Sequence, residues 1–190
     1  AEITAMAKWP ECVGLGELMS FPDVLAGTDG IAAKLSASQG MRRDGHAPGL
    51  RGRALQAYVG SGPGSDHEAT TYAEAMEKLR AGQLVMIREG SSARNLEALL
   101  PLVTDETYPR CCFCSDDRDV HALLHIGHMD YTLRLAIELG LDPVRAIRMA
   151  TWTPAEYWGL DGWGAIAPGF QANLVVLDDL RTVQVGMTIF

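Results

Sequence analysis

Short apolar runs recur along this chain, each ending in a charged or imidazole side chain and most followed by a helix-length segment. That alternation limits the folds open to it more than any other feature. Residues 12–15 lead to Glu17, residues 41–44 to His46, residues 84–87 to Arg88 and Glu89, and Cys111–Cys114 to Asp116 and Asp117. Ser65-Asp66-His67-Glu68 repeats the pattern of Asp44-Gly45-His46-Ala47-Pro48-Gly49-Leu50, with a histidine just before a turn. Strand then helix, with functional residues at the strand ends, is the pattern of a parallel α/β sheet. Strand ends lie side by side in such a sheet, so every candidate ligand collects on one side of it.

Eight such units close a (β/α)8 TIM-type barrel of about 250 residues. Four or five can be counted here, so the expected fold class is α/β, a partial barrel. Residues 1–165 read as the second half of that barrel and residues 166–190 as the start of a C-terminal β-rich region. The helices are expected from Thr28 or Asp29 to Gly40, then over 53–59, up to Arg80, 93–100, 128–139, Pro143–Ala150 and 154–158. A loop is expected at Phe21-Pro22, and a strand at 172–177 with no helix after it.

Punctuation residues support this order. Thr71-Tyr72-Ala73-Glu74 is a capping box, whose threonine and glutamate would satisfy free amides at a helix start. Asp142-Pro143 and Thr153-Pro154 each place a capping residue before a proline at the first helical position. Gly60-Ser61-Gly62-Pro63-Gly64 lacks the Lys-Ser or Lys-Thr pair of a phosphate loop and reads as a turn.

With 190 residues, 47% hydrophobic and 21% charged, the chain can bury one sizeable core and is not disordered by composition. A formal net charge of -8 argues against nucleic acid or an anionic membrane as the main partner, since both select basic surfaces. A neutral or weakly charged small substrate fits better. Cys12, Cys111, Cys112 and Cys114 have neither disulfide-framework nor zinc-site spacing, and are expected to be reduced thiols of a cytoplasmic protein. No apolar run has the length of a membrane helix, and the start lacks a basic-then-apolar signal pattern. The chain begins at Ala1 without an initiator Met, from processing or truncation.

Two imidazoles delivered from neighbouring strand ends, His46 and His67, can converge on one metal ion. Glu17 upstream and Asp116-Asp117-Arg118 downstream offer carboxylates to the same end of the sheet. The residues therefore read as part of a metal-dependent hydrolase site. A rival cluster, His121, His125 and His128, lacks the glutamate of a zinc-protease helix, and solvated helix histidines explain it adequately.

Taken together in chain order, these residues resemble the adenine deaminases of bacteria within the amidohydrolase superfamily. The likeness runs through Gly14-Leu15-Gly16-Glu17, the two histidine stretches, Ile87-Arg88-Glu89-Gly90-Ser91, Ala93-Arg94-Asn95-Leu96 and Asp116-Asp117-Arg118. It continues through Gly127-His128-Met129-Asp130, residues 146–151 and Ala165-Ile166-Ala167-Pro168-Gly169. The resemblance implies a metal-dependent barrel enzyme of purine salvage that hydrolyses adenine to hypoxanthine and ammonia. Two divalent ions, manganese or iron with zinc as an alternative, would generate a hydroxide at neutral pH. By position, Glu17 would bridge the metals, His46 and His67 would be imidazole ligands, and Asp116 would be both the last-strand ligand and the catalytic proton carrier. Glu68, Arg88, Glu89 and Asp117 would contact the purine or support the ligands. The complete enzyme is expected to be a homo-oligomer.

Departures from the family pattern qualify that implication. The family's first strand carries a His-x-His pair, and none occurs in this sequence. The family also continues well beyond Val176, and Ala69 stands where a cysteine often follows Ser-Asp-His-Glu. The expectation is a fragment that self-associates through open strand edges and uncovered apolar faces. Another amidohydrolase acting on a nucleobase or cyclic amide, or a non-catalytic scaffold, remains open at this level.

Overall fold

The computed structural model describes residues 2–190. The chain divides within its fourth strand into two compact units, one ending at Val85 and the other running from Met86 to Phe190.

The first unit contains α1 (Glu2–Met6), β1 (Gly14–Leu18), α2 (Phe21–Ala26), α3 (Asp29–Ala37), β2 (Arg42–Gly45), α4 (Gly52–Gly60), β3 (Ser65–Asp66), α5 (Tyr72–Arg80) and the opening of β4 (Leu84–Arg88). Its strands pair in parallel in chain order, as the α/β pattern predicts. Register fixes what each strand delivers. Gly45 faces Asp66, so His46 and His67, one residue further on, leave neighbouring strands at matching positions. Between Leu15 and Leu18 the register of β1 against β2 slips, and Glu17 lies within that irregular stretch.

The core of this unit gathers Leu18, Val24, Ile31, Ala47, Leu50, Leu55 and Tyr58. Each large apolar side chain so buried contributes about 1.5–3 kcal/mol relative to exposure. Gly45 is required by closeness. A Cβ there would lie 2.6 Å from the Ser65 carbonyl oxygen and 3.0 Å from the Tyr58 hydroxyl.

Two local expectations change here. Phe21-Pro22 begins a helix rather than a loop, because the fixed φ of Pro22 suits a first turn and Gly27, at φ 65°, ends it in the left-handed region. Helix α3 stops at Ala37, short of Gly40, where the Arg43 guanidinium takes the Leu35 and Ser38 carbonyls at 2.7 and 3.1 Å.

The second unit holds the end of β4, then α6 (Leu96–Leu99), 3-10 turns at Leu100–Leu102 and Tyr108–Arg110, and β5 (Cys111–Cys114). It continues with α7 (Val120–His125), α8 (Met129–Glu138), α9 (Pro143–Ala150), α10 (Trp152–Trp158), β6 (Leu174–Asp179) and β7 (Gln184–Ile189). Here β4 lies beside β5, with the Glu89 amide donating to the Cys114 carbonyl at 3.0 Å. Leu96, Leu99, Leu102, Cys111, Ala136, Ala146 and Met149 are fully buried.

The helix expected over 93–100 is shorter, because Arg94 forms a bridge with Glu89 and the Asn95 amide donates to the Arg88 carbonyl. Helix α9 has the expected bounds, with Asp142 accepting from the Arg145 amide at 2.9 Å. The next helix starts earlier, at Trp152, so Pro154 lies inside its first turn. Helix α7 precedes the three expected helices, capped by Asp119, which accepts from the Ala122 amide at 2.7 Å. The strand expected at 172–177 is β6, which pairs antiparallel with β7 in a hairpin.

Candidate metal centre

Among the described residues, Glu17, His46 and His67 form a group in which one ligand atom from each lies within 4.8 Å of the others. Ligands about 2.0–2.2 Å from a shared ion sit about 3 Å from one another. His46 Nδ1 approaches Glu17 Oε2 at 2.8 Å, and His67 Nε2 approaches the same oxygen at 3.6 Å. Glu68 joins them, its Oε1 lying 3.6 Å from His46 Nδ1 and 3.5 Å from His67 Nε2. The two imidazoles stand edge to face, with ring centroids 5.4 Å apart.

The donor set fits a divalent cation. His46 Nδ1 is buried and has no aligned hydrogen-bond partner despite its closeness to Glu17. Two donor atoms that converge without a hydrogen bond are aimed at a common point. Asp44 Oδ2 lies 3.0 Å from His67 Nδ1, and with that nitrogen donating, Nε2 keeps its lone pair toward Glu17. Burial works against a charged His67 ring, but the Asp44 hydrogen bond and the charges of Asp44, Glu17 and Asp66 outweigh it and raise its pKa. Such an electron-rich surrounding suits a cation as well as a proton.

The backbone under these three side chains is held by buried polar groups. The Tyr58 hydroxyl donates to the Leu18 carbonyl at 3.1 Å and accepts from the His46 amide at 2.9 Å, tying β1 to the end of β2. Burial pushes its pKa up to about 12. Asp44 Oδ1 accepts from Ser65 Oγ at 2.6 Å. Thr71 caps α5 by accepting from the Glu74 amide at 3.3 Å, but the expected capping box is only half formed. The Glu74 carboxylate turns inward, accepting from the Gly49 amide at 2.9 Å and from Lys78 Nζ at 2.8 Å.

In the second unit, Arg88 is buried and its guanidinium lies 3.4 Å from Asp116 Oδ2. Asp116 has φ 55°, a left-handed conformation that few side chains accept. Glu89 is buried too, and burial raises its pKa against the pull of the Leu96 amide and of Arg94 and Arg118. Asp117 accepts from the Ser92 amide at 2.8 Å, and its hydrogen bonds to Ser92 lower its pKa despite some desolvation. Its Oδ1 presses so close to Gly90 that no side chain fits there. The His121 and His125 rings lie tilted to one another on α7, centroids 4.6 Å apart, and no metal-holding group forms around them among the described residues.

The pattern of the amidohydrolase family matches residues 3–189. The chain belongs to the amidohydrolase family. It is 50% identical over 186 residues to an adenine deaminase of Dehalococcoides mccartyi, covering 98% of this chain and 33% of that protein. An adenine deaminase of Methanoregula boonei is 50% identical over 176 residues, 93% of this chain and 31% of that protein. One of Cereibacter sphaeroides is 46% identical over 189 residues, 100% of this chain and 34% of its own. The chain therefore spans about a third of the length of the curated relatives it matches.

Among solved structures, an uncharacterized protein superposes with a TM-score of 0.61 at 18% identity, over 98% of this chain and 57% of its own. An amidohydrolase superposes with a TM-score of 0.57 at 18% identity, over 90% of this chain and 47% of its own. Both agree with the amidohydrolase α/β fold read from the sequence. No helix among the described residues is long and apolar enough to cross a membrane.

Sequence reading singled out Glu17, His46, His67 and Glu68, which the first unit of this amidohydrolase brings together, and Arg88 and Asp116, which pair in the second. It did not pair Asp44 with His67, quoted Asp66 only as part of the histidine stretch, and passed over Tyr58 and Lys78. Asp44 carried a usable signal, since a carboxylate beside a ligand histidine is a common way of orienting the ring.

Proposed function

We propose that this chain provides part of a metal-dependent adenine deaminase, hydrolysing adenine to hypoxanthine and ammonia. The observation that carries the proposal is the convergence of Glu17, His46 and His67 in a chain half identical to adenine deaminases over 98% of its length. Glu17, His46 and His67 would hold the cation, manganese or iron in preference to zinc. When bound, that cation supplies the charge that makes a water acidic near neutral pH.

The remaining work belongs to side chains. Glu17 brings the negative charge expected of a ligand between two ions. Asp116, paired with Arg88, would ligate and also accept the proton of the attacking water and return it to the departing ammonia. Buried Glu89, with its raised pKa, is suited to share a proton with a purine ring nitrogen. Arg88, Glu68 and Asp117 would orient the substrate or its surrounding groups. The family's His-x-His imidazoles have no counterpart in these 190 residues, so the two-ion reaction would need them from outside this stretch. The hairpin at the end of the chain would begin a β-rich region beyond residue 166.

The test mixes this chain and Mn2+ with the N-terminal part of a curated relative that carries the His-x-His strand. Ammonia is then followed from adenine, cytosine and dihydroorotate. Release from adenine alone is expected, falling about 10²–10⁴-fold in Asp116→Asn. Turnover of cytosine or dihydroorotate in place of adenine would overturn the substrate, and an unimpaired Asp116→Asn would overturn the role of that carboxylate.

A further inference from the structure

Lys78 lies on α5, completely buried, and its ammonium spends all three protons within the first unit. It donates to the Ala47 carbonyl at 2.9 Å, to Asp66 Oδ1 at 2.6 Å and to Glu74 Oε1 at 2.8 Å. Ala47 directly follows His46, and Asp66 directly precedes His67. The remaining bonds close the circuit. Asp66 Oδ2 accepts from the Ala47 amide at 2.9 Å, and Asp66 Oδ1 also accepts from the Glu68 amide at 2.9 Å. Both turns that present the imidazoles are thereby fastened to one ammonium and one carboxylate.

A buried ion pair of this kind is weak evidence for stability, because desolvation of the charges offsets much of their attraction. It is a more exacting device for geometry, since Lys78 can satisfy its three protons at only one separation of the two turns. Removing it leaves the Asp66 and Glu74 carboxylates buried with one fewer donor each, and the turns are free to part. A lysine placed only to stabilise α5 would have no need to bond the carbonyl that follows His46.

We propose that Lys78, through Asp66 and Ala47, sets the spacing of His46 and His67 and so acts as a positioning residue for the metal centre. This rests on the metal reading of that centre. It touches neither substrate nor ion, and its effect passes through the two turns.

The test is Co2+ and Mn2+ titration of the full 190-residue chain, read by the visible absorption of bound Co2+ and by equilibrium dialysis of Mn2+. Lys78→Met, folded by far-ultraviolet circular dichroism, is expected to weaken both ions at least tenfold and to change the Co2+ spectrum. Leu79→Ala thins the core on the same helix and removes no hydrogen bond to either turn. It is expected to lower the melting temperature while leaving both dissociation constants within twofold of wild type. A Lys78→Met chain with the wild-type constants and spectrum would overturn the proposal, as would equal weakening in Leu79→Ala. Should Lys78→Met fail to fold, Asp66→Asn decides, with tenfold weakening expected and a wild-type constant overturning it. A wild-type chain that takes up neither ion would overturn the metal reading itself, and this inference with it.

Discussion

The two units hold their polar residues in different ways. In the first, His67 leans on Asp44, Asp66 and Glu74 share Lys78, and Tyr58 bonds two strand ends at once. In the second, Asp116 sits in a left-handed backbone conformation, partly open to solvent, with the Arg88 guanidinium beside it. Groups that must keep a fixed spacing are locked by closed networks. A group proposed to shuttle a proton is left with room, and the backbone carries the strain. The contrast extends to apolar surface. Val175, Val185, Met187 and Phe190 of the terminal segment are exposed, whereas the first unit buries Leu18, Leu55 and Tyr58 beneath its site.

The largest expected effect that distinguishes the units comes from alkali. Burial raises the Cys111 thiol from 9.0 to about 12. Below pH 9 the thiol is protonated whether the chain is folded or not, so its contribution is complete. Between pH 9 and 12 only the unfolded chain ionises, and stability falls by up to about 4 kcal/mol as the pH rises through that window. Urea unfolding from pH 8 to 11 should show this slope in the wild type and a clearly smaller one in Cys111→Ala, where Tyr58 of the first unit, raised from 10.0 to about 12, still contributes above pH 10. An identical slope in the variant would place the sensitivity elsewhere.

Next in size, Asp44→Asn keeps the shape of the first unit's network but removes the charge facing His67 Nδ1. Mn2+ affinity should fall about 10–100-fold. Equilibrium dialysis giving an unchanged constant would mean that packing alone orients the ring. A smaller change tests the second unit's reliance on local caps: Asp142→Ala removes the acceptor for the Arg145 amide and should cost about 1 kcal/mol in thermal unfolding. Smallest of all, Asp116→Gly should stabilise the chain by about 0.5–1 kcal/mol, because glycine accepts φ 55° without strain. A loss of stability there would show that the Arg88 contact outweighs the backbone.

The strand ends were legible because an apolar run stopping at a histidine or carboxylate is a local pattern, and Glu17, His46 and His67 needed only adjacent parallel strands to meet. What could not be read was any side chain whose role depends on a neighbour far along the chain. Lys78 has the spacing of a solvated helix residue, and nothing local says that its ammonium reaches Ala47, 31 positions earlier. Glu74 was misassigned for the same reason: its capping pattern is local, but the Gly49 amide offers a better-buried partner. Phe21-Pro22 failed through proline's double meaning, since it can break a helix or begin one. The return strand β7 was missed because its residues are all exposed and carry no buried face for alternation to mark.

The closed circuit of Ala47, Asp66 and Lys78 bears on the thermodynamics of ion capture. Its bonds are complete within the polypeptide, so the two imidazole-bearing turns have already given up their conformational freedom when an ion arrives. Little further ordering accompanies uptake, and the entropy of binding should be dominated by water released from the ion and from the carboxylates. Calorimetry should therefore record a heat-capacity change near zero, in contrast to small zinc domains whose folding and binding are one event.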